Sequence, residues 1–238
     1  MADICELWPQ GPRFRQAEHF ALGTDSILLS GFVRSFGAQR GVDLGCGGGI
    51  LALLLLEKFE KLRMTGLELN EAAAAVARDN LALNALEARG EIVCGDIREV
   101  RSRFRSGSFD LAVSNPPYFP ARSGALSPDA ARAAARSELC CTLDELCAAA
   151  AFLLRTGGSF FVVHRPERLS ELFVTLSAHG LEPKRLRLVC PREGCAPSLV
   201  LVEARRGGAH GLSIEPALVL RDAAGAESEE LRALYHRA

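Results

Sequence analysis

The feature that most constrains the fold is the turn Asp43-Leu44-Gly45-Cys46-Gly47-Gly48-Gly49, set between a short apolar run and a long one. Its glycines permit positive φ angles and an approach of backbone to ligand that side chains would block. Residues 41–44 before it read as a strand. The apolar residues 50–59 after it read as a helix whose first N–H groups are free to face the turn. Strand, glycine turn and helix in this order open a doubly wound α/β sheet, where ligands bind beyond the carboxyl ends of the strands. Two variants of that turn are excluded. The dinucleotide fingerprint needs Gly or Ala where Ile50 stands, and no Gly-Lys-Ser/Thr follows to make a P-loop.

The rest of the chain keeps the alternation. Residues 63–69 form a second predicted strand, and Asn70 caps a helix over 71–83. Residues 91–94 and 109–114 are the third and fourth strands. A loop over 119–128 leads to a helix from about 129 to 154, with a break near Thr142. Thr156-Gly157-Gly158 turns into a strand over 159–164, followed by a helix over 168–179 and strands over 185–190 and 198–204. This pattern predicts a mostly parallel sheet with helices on both faces, and the short last connection predicts an antiparallel hairpin at one edge. Ahead of the first strand, Thr24 or Asp25 can cap a helix from Ser26 to about Phe36. The expected organisation is an N-terminal segment and helix over 1–39, the α/β domain over 40–206, and an appendage over 207–238 with a helix at 228–235.

Bulk properties fit one such domain: 238 residues, 48% of them hydrophobic, supply a sizeable core. The formal net charge of −1 argues against a strongly basic nucleic-acid binder. Residues 96–213 are mildly basic, with 16 Lys+Arg against 12 Asp+Glu; that stretch suits phosphate contacts or an ordinary mixed surface. The eight cysteines include no Cys-x-x-Cys pair, which favours free thiols in a reducing compartment over a zinc site. The N-terminus lacks a signal-peptide pattern, and the longest apolar stretch, 50–56, is far short of the ~20 residues that span a bilayer. A cytoplasmic protein without membrane or metal is expected.

Two carboxylates line up with the glycine turn. Glu68 ends the second strand, where an acidic side chain accepts hydrogen bonds from both hydroxyls of a ribose. Asp96 follows the third strand beside the same crevice. Either alone is an unremarkable surface charge or helix cap; on successive strand ends they point to one nucleoside site. The acidic residue ahead of the glycines makes the run resemble the Asp-x-Gly-x-Gly-x-Gly motif of class I methyltransferases, which use S-adenosylmethionine. That resemblance implies cofactor contacts at Asp43, Gly45, Gly47, Gly49 and Glu68, with Asp96 on the adenine amine and Ile97 on the ring face.

Asn115-Pro116-Pro117-Tyr118 follows the fourth strand. Asn-Pro and Pro-Pro are ordinary loop dipeptides, but behind a glycine turn, Glu68 and Asp96 they suit a methyl acceptor with a planar NH2 group. Its nitrogen lone pair is delocalised and attacks poorly. Two acceptors on its hydrogens, the Asn115 side-chain oxygen and the Pro116 carbonyl, favour pyramidalisation and stabilise the charge that develops. The prolines fix φ and so pre-orient both acceptors, and Tyr118 offers a face on which a flipped base can stack. The cofactor-side set thus also includes Asn115.

From Gly23-Thr24-Asp25-Ser26-Ile27-Leu28-Leu29 through Asn-Pro-Pro-Tyr to the late hairpin, residues 10–205 resemble the bacterial tRNA(Val) adenine-N6 methyltransferases. These modify the adenine beside the anticodon of one valine tRNA. The resemblance implies a tRNA substrate, a first helix lying over the cofactor, and Thr24 and Asp25 in its pocket. Arg136 and Glu138 fall in its more selective stretch, as structural or substrate-side residues. Arg101, Arg103 and Arg105, or Lys184, Arg185, Arg187 and Arg192, are the candidates for phosphate contacts. Glutamine-N5 methyltransferases of release factors share the tetrapeptide but carry an N-terminal helical domain, for which about 40 residues are too few. Guanine-N2 enzymes of ribosomal RNA more often have Phe in place of the tyrosine. A degenerate scaffold protein would have lost Asp43, Glu68, Asp96 or Asn115, and all four are present.

Overall fold

The computed structural model describes residues 4–16, 23–116 and 141–237. A short antiparallel hairpin, β1 (Ile4–Glu6) and β2 (Arg13–Arg15), precedes α1 (Thr24–Phe32). Then follow β3 (Arg40–Leu44), α2 (Ile50–Lys58), β4 (Arg63–Glu68), α3 (Glu71–Leu83), β5 (Gly90–Cys94), α4 (Val100–Arg103) and β6 (Phe109–Ser114). The last third holds α5 (Leu143–Leu153), β7 (Leu154–His164), α6 (Leu169–Ala178), β8 (Leu181–Cys190), β9 (Leu199–Arg206), β10 (Ser213–Val219) and α7 (Glu229–Leu234).

The large sheet runs β10-β8-β9-β7-β6-β3-β4-β5. The pairs from β5 to β7 are parallel, and β9 is antiparallel to both β7 and β8. This is the expected mostly parallel sheet with its antiparallel hairpin toward one edge. One strand lies outside that hairpin: β10, parallel to β8. Pro216 interrupts its apolar alternation, and its ladder shifts register between Glu215 and Leu218, so the sequence pattern is weak there.

Alternation along the strands builds two cores. Leu111, Val113, Phe161, Val163 and Leu201 face one layer with α1, α2, α3 and α7. Ala112, Phe160, Val162, Val200 and Val202 face the other, with α5 and α6. Burial on both faces makes these strands nearly continuous apolar runs, as parallel sheets require. Thr142, near which a helix break is expected, starts α5 with a full capping box onto Glu145; the helix expected before it lies outside the described residues.

Several boundaries differ from the sequence reading. Helix α1 starts at Thr24, with Gly23 as an N-cap that makes no side-chain hydrogen bond, so neither Thr24 nor Asp25 caps it. It stops at Phe32 instead of near Phe36, because Val33 goes over to extended backbone with ψ 132°; Phe36 and Gly37, with φ of 44° and 78°, then turn the chain back toward β3. Strand β7 begins at Leu154, and Thr156–Gly158 lie within it as an irregularity, tolerated because Gly157 has φ 80°.

Helix α1 is held by its carboxyl end, which has no basic residue of its own in the last turn. Lys58 of α2 donates to the carbonyls of Ser30 (2.8 Å), Gly31 (3.1 Å) and Val33 (3.0 Å). Arg185 of β8, 6% exposed, donates to the Phe32 carbonyl at 2.7 Å and packs 3.7 Å over the Phe32 ring. Its charge is balanced by Glu203 at 2.8 Å and Glu215 at 3.0 Å. Two cations thus satisfy the orphan carbonyls of α1, and the clamp fixes where its amino-terminal turn lies over the strand ends.

Candidate active site

The carboxyl ends of β3, β4, β5 and β6 lie side by side, and the glycine turn folds across the first two. The N–H groups of Gly45 and Cys46 donate to the Leu67 carbonyl at 2.9 and 3.1 Å. Gly45, Gly47 and Gly49 all have positive φ, 76°, 53° and 81°. A Cβ on Gly49 would stand 3.0 Å from the Ala77 Cβ, so this glycine lets α3 pack against the start of α2. A Cβ on Gly45 would meet none of the described residues within 4 Å. Asn80 on α3, 1% exposed, ties the turn to β2: its Nδ2 donates to the carbonyls of Gly48 (2.8 Å) and Arg15 (2.9 Å), and its Oδ1 accepts from Arg15 N–H at 2.7 Å.

The acidic residues differ in setting. Glu68, 6% exposed, accepts from Gly47 N–H with Oε2 and from Asn70 N–H with Oε1, both at 2.8 Å. Each carboxylate oxygen keeps a further lone pair for a hydroxyl, so Glu68 locks the turn and remains able to accept from a ligand. Asp43 is 1% exposed, and burial pushes its carboxyl up to about 7; the Ala52 N–H opposes the rise and the Glu68 charge adds to it. Asp43 Oδ2 is buried without a hydrogen-bond partner among the described residues. Asp96 caps the turn Ile97–Glu99 by accepting from Arg98 N–H, and the Arg98 guanidinium beside it holds its carboxyl below the usual range. Ile97 packs at the margin of the second core.

Asn115 and Pro116 continue from β6 at the same end. The Ser114 hydroxyl donates to the Leu44 carbonyl at 2.7 Å, joining the tips of β6 and β3 where the ladder between them stops. Asn115 Nδ2 donates to Ser26 Oγ at 3.0 Å. This contact brings the first turn of α1 to the strand tips, and Thr24 there receives the Tyr235 hydroxyl at 3.3 Å. Asp43, Gly45, Gly47, Gly49, Glu68, Asp96, Ile97 and Asn115 are therefore gathered at neighbouring strand ends, with Thr24 and Asp25 on the helix above Asn115. Pro117, Tyr118, Arg136 and Glu138, and the helix expected to begin near residue 129, lie outside the described residues.

Ser26, Ser114 and Asn80 were not singled out from the sequence. Ser26 had one available signal, a buried hydroxyl in a helix whose neighbours Ile27, Leu28 and Leu29 are all core. His164 is fully buried, accepts from Arg165 N–H at 2.8 Å, and is pushed down to about 4 by burial, so it is neutral. Of the suggested phosphate contacts, Arg185 is withdrawn into the ion network behind α1, and Arg187 is held by both oxygens of Glu230 at 2.6 and 2.8 Å. Arg103 pairs with Glu99 at 3.1 Å, and Arg101 lies 4.7 Å over the Phe152 ring. No metal-binding cluster occurs among the described residues, and no described helix is long and apolar enough to cross a membrane.

Residues 17–176 match the family model described as methyltransferase small domain. Among solved structures, a predicted O-methyltransferase from Agrobacterium tumefaciens is similar with a TM-score of 0.73 and 21% identity over 89% of this chain and 95% of that one. At that identity the likeness shows the fold alone. With the family match, the fold and the glycine turn define a class I, S-adenosylmethionine-dependent methyltransferase. Curated relatives narrow this. The tRNA1(Val) (adenine(37)-N6)-methyltransferase of Tolumonas auensis is 34% identical over 90% of this chain and 87% of its own length. That of Serratia proteamaculans is 34% identical over 90% and 81%, and that of Porphyromonas gingivalis 33% over 77% and 74%. The chain belongs to this family.

Proposed function

We propose that this protein methylates N6 of an adenine in tRNA, the adenine beside the anticodon of a valine tRNA, in the cytoplasm. The observation that carries the reading is the placement of Asn115 on the tip of β6, one strand from the Glu68-locked glycine turn. The choice of tRNA and nucleotide is supported by the relatives, which are tRNA1(Val) (adenine(37)-N6)-methyltransferases.

The residues present fit S-adenosylmethionine. Gly45 has room beside it among the described residues, Glu68 retains acceptor capacity toward a ribose, and Asp43, raised to about 7 by burial, can gain charge when a cation is bound beside it. The bound cofactor supplies a methyl group on a cationic sulfur, ready for in-line displacement. Thr24, Asp25, Asp43, Gly45, Gly47, Gly49, Glu68, Asp96 and Ile97 hold and orient it. Asn115 Oδ1 and the Pro116 carbonyl accept the two hydrogens of the target amine, Pro117 stiffens the segment, and Tyr118 stacks on the base. As the nitrogen becomes cationic, these fixed dipoles stabilise it without reorganising. Positioning supplies much of the remaining rate.

Incubation with methyl-labelled donor and separate pools of tRNA, ribosomal RNA and release factor tests the substrate. Label in tRNA, recovered as N6-methyladenosine, is expected; label confined to the protein pool refutes the assignment. Asn115→Ala is expected to lower turnover at least a hundredfold with donor affinity nearly unchanged, and unchanged turnover would mean the catalytic position is misassigned.

A further inference from the structure

We infer that Ser26, on the first turn of α1, is a positioning residue for methyl transfer: its hydroxyl, bonded to Asn115 Nδ2, holds the side-chain amide at the place where its other edge, the oxygen, can face the target amine. The inference rests on the reading of Asn115 given above and extends it to a residue of another element.

Ser26 is 4% exposed on a helix whose neighbouring positions are filled by Ile27, Leu28 and Leu29, each at most 3% exposed. A hydroxyl placed there costs free energy unless it is hydrogen-bonded. Ser30, one turn on, meets this demand locally by donating to the Ile27 carbonyl at 2.8 Å. Ser26 instead bonds across 89 residues, receiving Asn115 Nδ2 at 3.0 Å. The helix therefore uses one serine for itself and the other to reach the tip of β6.

The consequence for Asn115 is geometric. A side-chain amide is nearly symmetric in shape, so its oxygen and nitrogen are distinguished only by their hydrogen bonds. With the nitrogen turned toward Ser26, the oxygen lies on the opposite edge of the amide plane. The Ser26 hydroxyl could bond either edge, so it fixes the position of the amide, and the target NH2 selects the edge: the flipped amide would present N–H donors to the group that is to be methylated, a donor facing a donor. The backbone at this point is already fixed by the Ser114 hydroxyl on Leu44, and Ser26 restrains the side-chain torsions. Since α1 is itself anchored through Lys58 and Arg185, the anchor is a rigid one.

The test compares Ser26→Ala and the near-isosteric pair Ser26→Thr and Ser26→Val with wild type and Asn115→Ala. Turnover, donor affinity by calorimetry, thermal stability, and the Asn115 side-chain NH2 signal in 1H–15N spectra are measured. That signal is assigned by its loss in Asn115→Ala. Ser26→Ala should lower kcat about tenfold, the worth of roughly one net hydrogen bond, with KM and donor Kd within twofold of wild type. The NH2 protons of Asn115 should lose their exchange protection in Ser26→Ala, and Thr should restore both properties where Val does not. An unshifted NH2 signal in Ser26→Ala overturns the inference even if no substrate has been found. So does Thr behaving like Val, or a Ser26→Ala variant that loses stability and donor affinity while keeping kcat. Unchanged turnover in Asn115→Ala would instead refute the reading of Asn115 itself.

Discussion

Replacing Asp43 by asparagine removes a charge from the most enclosed position of the donor site while keeping its size, and the effect on stability should depend on pH in a defined way. The carboxyl rises from an ordinary 3.8 to about 7 on folding, chiefly through burial. Below pH 3.8 folded and unfolded chains both hold the proton, and the group is neutral to stability. Between 3.8 and about 7 the unfolded chain releases the proton and the folded chain keeps it, so unfolding becomes easier as pH rises. The slope is about 1.4 kcal/mol per pH unit, and the whole shift of roughly three units corresponds to about 4 kcal/mol at neutral pH. In Asp43→Asn this loss is absent. Urea unfolding of both proteins without donor, from pH 4 to 8, isolates the group together with its coupling to Glu68, because titrations of groups distant from Asp43 cancel in the difference. The variant's advantage should grow up to about pH 7 and then level off. Parallel stability curves for the two proteins would refute the reasoning.

Three further outcomes follow from the same geometry. Donor binding that requires ionised Asp43 should weaken about tenfold at pH 6 relative to its limit at high pH, a dependence that calorimetry should find missing in Asp43→Asn. Gly49→Ala forces an alanine into a φ of 81° and against the Ala77 Cβ; denaturant titration should register a loss of about 2 kcal/mol, the cost of a left-handed alanine plus crowding. Arg185→Ala leaves Glu203, 3% exposed, without its 2.8 Å partner and frees the end of α1; the expected cost is about 3 kcal/mol, seen as a lower Tm, and an unchanged Tm would remove the clamp from the account.

The sequence showed the sheet because buried parallel strands are dense in apolar residues and end in distinctive turns, as at Asp43–Gly49 and Asn115–Pro116. It did not show β10, because Pro216 and a register shift break the alternation of an edge strand. Nor did it place the end of α1, where Val33 goes over to extended backbone and Lys58 and Arg185 from other elements take up the last carbonyls. The candidate site residues legible in the sequence are those whose type and local setting are both unusual. Ser26, Ser114 and Asn80 escaped because their partners are 89, 70 and up to 65 residues away; no local pattern encodes such bonds. Arg185 shows the converse, a residue that reads as surface charge in a basic stretch yet spends that charge inside the fold.

A structure of the protein with bound S-adenosylmethionine is the most direct measurement. The account predicts the ribose hydroxyls on Glu68, the adenine between Asp96 and Ile97, and the sulfur-bound methyl turned toward Asn115. Density for the donor anywhere other than over the tips of β3, β4 and β5, or with its methyl turned away from Asn115, would contradict it.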